Sequence, residues 1–415
     1  MSKDGNIACI DIGSTKISVL LANVNDRDIV QILATGVAPS LGVQRGVIVD
    51  IDDARRSILE AIDKVEGSSG LKVNRALIGF SGKHIGSLNN RVAMAIDRRD
   101  HLVTPAALKR GLVSIHKITF PQDRRMVHVI PRRYFIDGVT GIRNPIGMHG
   151  FRLDMEAHIV TGGLVYIQNL RSCLEAAGVE IVDIVVNPIA CGEAVLDTED
   201  REDGVILADI GGGTTDIAVY GDGTVWHTSV IPVGGIQITK DISQGLGIPF
   251  SVAEELKIKY GKLLPGSEGW TETVRSETKE KYSVSQEDLC YIIRARIEEI
   301  LRMILLKIPH SEYTPASVVL TGGTAKLGGM EEFAQQIMGF PVRVEAPKGI
   351  HEADGSLNDP IYAASAGLLL WGASHAMEER GIPTGGINIK QILKRLRGIR
   401  LPKIPFTISR PAPKE

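Results

Sequence analysis

One phrase occurs in each half of this chain, and it limits the fold more than any other feature. The first copy, residues 7–22, reads IACIDIGSTKISVLLA; the second, residues 205–220, reads VILADIGGGTTDIAVY. Each is an apolar strand ending in Asp, a Gly-containing turn with hydroxyl residues, and a second apolar, β-branched strand. Because the chain returns as a strand, each phrase predicts a hairpin with an acidic, Gly-rich tip. In a Walker loop or a dinucleotide fingerprint the glycines instead open a helix whose N-terminus holds phosphate. Two such tips facing each other across a cleft can clasp one polyphosphate and its metal.

The first tip offers the Asp11 carboxylate, Gly13, the hydroxyls of Ser14 and Thr15, and the Lys16 cation. Backbone N–H groups and hydroxyls donate to phosphate, and Lys adds a point charge. In the second, Gly211, Gly212 and Gly213 permit close backbone approach, while Thr214 and Thr215 offer donors for β- and γ-phosphate oxygens. Asp11 and Asp209 each end a strand, where they can hold hydrated Mg²⁺, a hard cation that needs few carboxylates. An ordinary Gly turn or a tight chain crossing explains either tip alone. Matched tips make coincidence the weaker explanation. A third element, VVLTGGTAKLGG (residues 318–329), runs a strand into Gly322–Gly323, with a helix starting near Gly329. Its glycine pair lets backbone lie against a flat ring such as adenine.

At 415 residues, two or three domains are expected. The apolar fraction of 43% and charged fraction of 23% fit a globular core, and a net charge of −2 points to no nucleic-acid partner. Cys9, Cys173, Cys191 and Cys290 are scattered without metal-ligand spacing, which predicts free thiols in a reducing cytosol. No secretory leader and no membrane-spanning stretch is expected. Along the chain, Asp52 or Asp53 can cap a helix that carries Ile58, Leu59, Ile62 and Val65 on one face. Residues 81–160 change character and predict a β-rich insert with one helix at 105–116. Its clusters Arg98–Arg99, Arg124–Arg125 and Arg132–Arg133 read as a solvated face, and His84, His101 and His158 as lone surface or core groups. The second half repeats the plan from Gly204, and Gly234–Gly235 lead into a helix. A helical region follows at 249–310, with an exposed polar excursion at 266–287.

These motifs resemble the actin and heat-shock-chaperone ATPase superfamily. The chain looks most like its FtsA family of bacterial division proteins, through GVQRGVIVDIDDA (42–54), FSGKHIGSLNN (80–90), AEELKIKYG (253–261) and ARIEEIL (295–301). The resemblance covers residues 5–375. It implies a duplicated actin-like, ribonuclease-H-like α/β fold. The first α/β subdomain takes residues 1–80 and 161–203, and an α+β interaction subdomain is inserted at 81–160. The second α/β subdomain takes 204–248 and 311–375, a helical subdomain lies at 249–310, and a tail at 376–415. It further implies that ATP and Mg²⁺ are bound by Asp11, Gly13, Ser14, Thr15, Lys16, Asp209, Gly211, Gly212, Gly213, Thr214, Thr215 and Gly235. Glu254 and Lys257 then lie at the ribose and adenine, beside Gly322 and Gly323. Asn187, in VNPIAC, stands where relatives often carry Glu or Gln to orient the attacking water. Asn is shorter and cannot act as a base, so hydrolysis is expected to be slow or absent.

By the same resemblance the partners are the C-terminal peptide of FtsZ, a tubulin-like division protein, further copies of this chain in a filament, and other division proteins through the insert. The tail adds its own argument. Ile389, Ile392, Leu393, Leu396 and Ile399 share one helical face of residues 387–405, and Lys390, Lys394, Arg395, Arg397 and Arg400 occupy the rest with no acidic residue among them. Such a helix lies in the headgroup plane of an anionic membrane, each cation contributing about 1 kcal/mol. A core-docking helix and a nucleic-acid patch are the competing readings. The expected role is a peripheral protein of the inner membrane face that polymerises and anchors FtsZ rather than an enzyme. A PilM-type pilus-assembly scaffold and a small-molecule kinase of the same superfamily are the alternatives.

Overall fold

The computed structural model describes residues 5–25, 29–97, 100–264, 271–275, 281–309, 314–352 and 355–380. The tail face from Ile389 to Ile399 and the Arg98–Arg99 pair lie outside the described residues. Two mixed sheets repeat one topology. In the first, Val30–Pro39, Lys16–Val24 and Asn6–Ile12 run antiparallel in sequence, and Arg75–Phe80 and Glu180–Val186 extend the sheet in parallel; Ile350–His351 caps the far edge. In the second, Thr224–Ile231, Thr215–Gly221 and Val205–Ile210 are antiparallel, and Ser317–Thr321 and Val342–Val344 add in parallel. The central strands are apolar on both faces because helices cover both sides, so they read as continuous hydrophobic runs.

The helix Ile51–Ser69 buries Ala54, Ile58, Ala61, Ile62 and Val65 against the first sheet. Its cap is Asp50, whose carboxylate accepts from Asp53 N at 2.9 Å. Asp52 and Asp53 occupy the first turn instead, where they favour the positive end of the helix dipole. The helices Asn187–Val195 and Ala363–Arg380 join the halves and cross where a Cβ on Gly367 would lie 1.8 Å from Ala190 O. Only glycine permits that approach.

Residues Gly86–Ala95, Arg124–Ile136, Val139–Ile142 and Arg152–Gly163 form a separate four-stranded sheet, backed by the helix Pro105–His116. Its own core includes Leu108, Ile115, Leu153 and Met155. Two expectations change here. The arginine pair at 132–133 is not a solvated face. Arg132 is 5% exposed, and both guanidinium groups lie over the Trp226 ring, at 4.3 and 4.1 Å. Arg124 is likewise turned inward, donating to Thr161 Oγ1 at 2.9 Å and His84 O at 3.1 Å. The polar stretch at 266–287 carries a hairpin, Thr271–Arg275 with Lys281–Ser285, that leads directly into the helix Gln286–Lys307.

Gly367→Ala is expected to force the two joining helices apart and cost about 1–3 kcal/mol, the usual range for overpacking. Chemical denaturation of the variant, which should unfold at lower denaturant than the wild type, checks this.

Candidate nucleotide site between the two hairpin tips

The two tips have the same hydrogen-bonded turn. Gly13 N donates to Lys16 O at 3.1 Å, and Gly211 N donates to Thr214 O at 2.9 Å. Ser14–Thr15 and Gly212–Gly213 therefore form the extremities, and they touch. A Cβ built on Gly212 would lie 2.3 Å from Thr15 Cγ2, and one on Gly213 would lie 2.4 Å from Ser14 Oγ. Side chains on one tip occupy the space that missing side chains leave on the other.

Behind the tips, Asp11 and Asp209 are buried at matching register, Asp11 opposite Ser18 and Asp209 opposite Asp216. Asp11 accepts from Asn187 Nδ2 at 3.2 Å and from Ser365 Oγ at 3.5 Å, both supplied by the joining helices. Burial raises its pKa above the ordinary carboxylate value. Asp209 accepts from Cys191 Sγ at 3.3 Å and is raised to about 6 by burial, with the Asp11 charge adding to it. The tip is fixed to the helix Gly235–Leu246, because Gly211 O and Gly212 O accept from Gly235 N and Ile236 N at 2.9 and 2.8 Å. Thr324 Oγ1 also donates to Gly211 O, at 3.0 Å.

Lys257 Nζ reaches Gly235 O at 3.2 Å, Thr239 Oγ1 at 2.9 Å and Glu254 Oε2 at 2.7 Å, so Glu254, Lys257 and Gly235 form one cluster beside the second tip. Gly322 has φ +89, and a Cβ there would meet Asp209 Oδ1 at 2.1 Å. It makes room for the carboxylate. Gly323 opens the short turn Gly323–Lys326 and faces Ile361.

Two expected phosphate donors are differently placed. Thr215 is fully buried, and its hydroxyl donates to Val233 O at 2.9 Å. It occupies the register place of Ile17 in the first copy, an inward position, so its side chain is not offered to the cleft. Lys16 Nζ donates to Ile361 O at 2.7 Å and lies 4.0 Å from the Tyr362 ring centroid, while still feeling the Asp11 and Asp209 charges. Burial lowers its pKa.

Asp216, Ser81, Cys191 and Ser365 belong to the site although the sequence reading gave them no role. Asp216 accepts from Ser81 Oγ at 2.6 and 2.8 Å and from Thr214 Oγ1 at 3.1 Å. Burial first, and the Asp209 charge second, push it up to about 8. The DIGGGTTD spacing marked it, since it is the acidic partner across the hairpin from Asp209. The other three come from distant segments, and no local pattern marks them. All four cysteines are free, as expected.

The residues fit a metal–polyphosphate. Asn187 Oδ1 is buried beside Asp11 with no hydrogen-bond partner among the described residues, an acceptor left for a bound water or hydrated ion. Among the described residues no three His, Cys, Asp or Glu side chains gather as a dedicated metal cage. Mg²⁺ is the cation that suits such a site, because it keeps waters and completes its shell with phosphate oxygens.

Comparison with known proteins agrees with the topology. Solved structures of the actin-like type share it. The PilM–PilN type IV pilus biogenesis complex superposes with a TM-score of 0.61 at 14% identity, covering 88% of this chain and 98% of that one. MreB5 of Spiroplasma citri bound to ADP gives 0.54 at 14%, covering 90% and 98%. This is an actin-like fold.

Within that class the sequence is specific. Residues 206–367 match the model of the cell division protein FtsA, and residues 82–161 match the SHS2 domain inserted in FtsA. The FtsA of Pseudomonas aeruginosa is 35% identical over 386 residues, 92% of each chain; that of Neisseria meningitidis is 38% identical over 370 residues, 88% of this chain and 89% of the relative. The chain belongs to the FtsA family of cell division proteins.

Both Asp209 and Asp216 hold protons in the folded state that the unfolded chain releases near its ordinary carboxylate pKa. Their contribution to stability is therefore complete at acid pH and lost as pH rises through about 6 and about 8. Asp216→Asn removes the upper step. Its stability relative to wild type, measured by denaturant titration, should rise steadily from pH 5 to pH 8; a flat difference would contradict the assignment.

Proposed function

We propose that this chain binds Mg²⁺–ATP between its two hairpin tips and acts as an actin-like division protein at the inner membrane face, polymerising and holding FtsZ there. The observation that carries the reading is the meeting of the tips over two buried, mutually repelling carboxylates, Asp11 and Asp209. That arrangement is costly unless a cation completes it. The backbone N–H groups of Ser14, Thr15, Gly212 and Gly213, with the hydroxyls of Ser14 and Thr214, are the phosphate donors. Asp11 and Asp209 would hold Mg²⁺ through water, and Glu254, Lys257, Gly322 and Gly323 border the nucleoside end. Mg²⁺ supplies charge neutralisation at the phosphates.

Asn187 orients Asp11 by hydrogen bond and presents an amide rather than a carboxylate. A general base is missing from that position, so ATP serves chiefly as a ligand that favours the closed arrangement of the halves, a population shift. The solved structure of MreB 5 bound to AMPPNP, with a TM-score of 0.54, has the same fold.

The insert at 81–160 and the helical region at 249–310 are the proposed interaction subdomains. The helices Phe250–Tyr260 and Gln286–Lys307 expose Phe250, Ile258 and Tyr291, the last two more than 70%. Large exposed apolar groups on paired helices suit a bound peptide. No described helix is long and apolar enough to cross a membrane. The basic amphipathic tail is the proposed membrane contact.

Titration with ATP and Mg²⁺ tests the site. Asp11→Ala and Asp209→Ala should each abolish Mg²⁺–ATP binding, and unchanged affinity in either would refute it. Sedimentation with anionic vesicles tests the tail: truncation after Glu379 should leave the protein in the supernatant, whereas undiminished pelleting would exclude the tail as the anchor.

A further inference from the structure

A third element reaches the hairpin tips. The strands Val43–Gln44 and Val47–Ile48 form a small hairpin whose two-residue turn is Arg45–Gly46. Both turn residues are left-handed, with φ +50 and +72, as a type I′ turn requires. Asn, Asp and Gly are the residues that suit those positions. An arginine there is held against its own backbone preference, and such outliers collect at functional sites.

The turn is wedged between both tips. Gly46 N donates to Ser14 Oγ at 3.0 Å, and Arg45 Cα would lie 3.2 Å from a Cβ on Gly213. On its other side, the Gly46 backbone packs against Ser81 O and Gly82, and Ser81 is the residue bonded to Asp216. Arg45 itself is exposed, and its guanidinium has no hydrogen bond or ion pair among the described residues. Nearby cations are committed elsewhere: Lys16 to Ile361 O and the Tyr362 ring, and Lys326 to Asp359. The buried carboxylates Asp11 and Asp209 leave the tips short of positive charge for an incoming triphosphate.

We propose that Arg45 reads the terminal phosphate of the bound nucleotide, the Arg45–Gly46 turn closing over the two tips as a specificity-determining third clasp. The inference rests on the nucleotide reading of the site. A guanidinium fits a phosphate's oxygens bidentately, and the terminal phosphate is the group that a nucleoside diphosphate lacks. Arg45 thereby discriminates ATP from ADP.

The test is titration of the full-length chain with fluorescent ATP and ADP analogues in Mg²⁺. Arg45→Asn and Arg45→Gly keep the left-handed turn, and Arg45→Lys keeps the charge. Loss of a charge-assisted hydrogen bond predicts roughly tenfold or greater weakening for ATP in the Asn and Gly variants, with ADP affinity unchanged and partial recovery in the Lys variant. Thermal unfolding without nucleotide should show no loss of stability for Asn or Gly. Equal weakening for both nucleotides, or no weakening, overturns the role of Arg45 while leaving the site intact. Loss of self-association with ATP discrimination retained also overturns it, assigning Arg45 to a contact between copies. If the wild type binds neither nucleotide, the site reading fails and this inference with it.

Discussion

The contact of Thr15 with Gly212, and of Ser14 with Gly213, sets the distance between the two halves at the cleft. A methyl group at either glycine would collide with the opposing hydroxyl side chain, so the tips close only because one carries side chains and the other does not. Everything behind them follows from that spacing. The Asp11 charge adds to the burial that raises the proton affinity of Asp209, and the Gly322 turn fits beneath Asp209 because it too lacks a Cβ.

The same closure is transmitted through two connections. Asn187, Cys191 and Ser365 bind the two aspartates from the helices that cross at Gly367, so this crossing is bonded to the site. The insert is covalently part of the first half, yet it packs against the second. Ser87 Oγ donates to Thr228 O at 2.7 Å, His158 bridges Asn89 and Thr228, and Arg132 and Arg133 cover Trp226. The strand Thr224–Ile231 that receives these contacts pairs with Thr215–Gly221, which leaves the second tip. The insert is therefore connected to the second tip through this strand pair.

Local pattern carried most of this. The repeated phrase is readable because a buried strand, a glycine turn and a second strand each have their own composition, and the register they impose is identical in both copies. That register also held a clue to Thr215, which takes the inward place of Ile17, and to Asp216, which faces Asp209 across the pair. Hydroxyl-rich composition alone argued otherwise for Thr215. Asp50 displaced Asp52 and Asp53 as the cap because the helix begins two or three residues earlier, a boundary that spacing does not fix. The roles of Ser81, Cys191 and Ser365, and the stacking of Arg132 and Arg133 on Trp226, depend on segments far apart in the chain. An arginine pair on a strand has the same appearance in sequence whether it meets water or an indole.

The central claim is that both halves hold one triphosphate together. A crystal structure with Mg²⁺ and a non-hydrolysable ATP analogue addresses it most directly. The account predicts β- and γ-phosphates lying between Ser14–Thr15 and Gly212–Thr214, with the metal's waters on Asp11 and Asp209. Phosphates bonded to one tip alone, or a nucleotide seated anywhere else on the molecule, would contradict it.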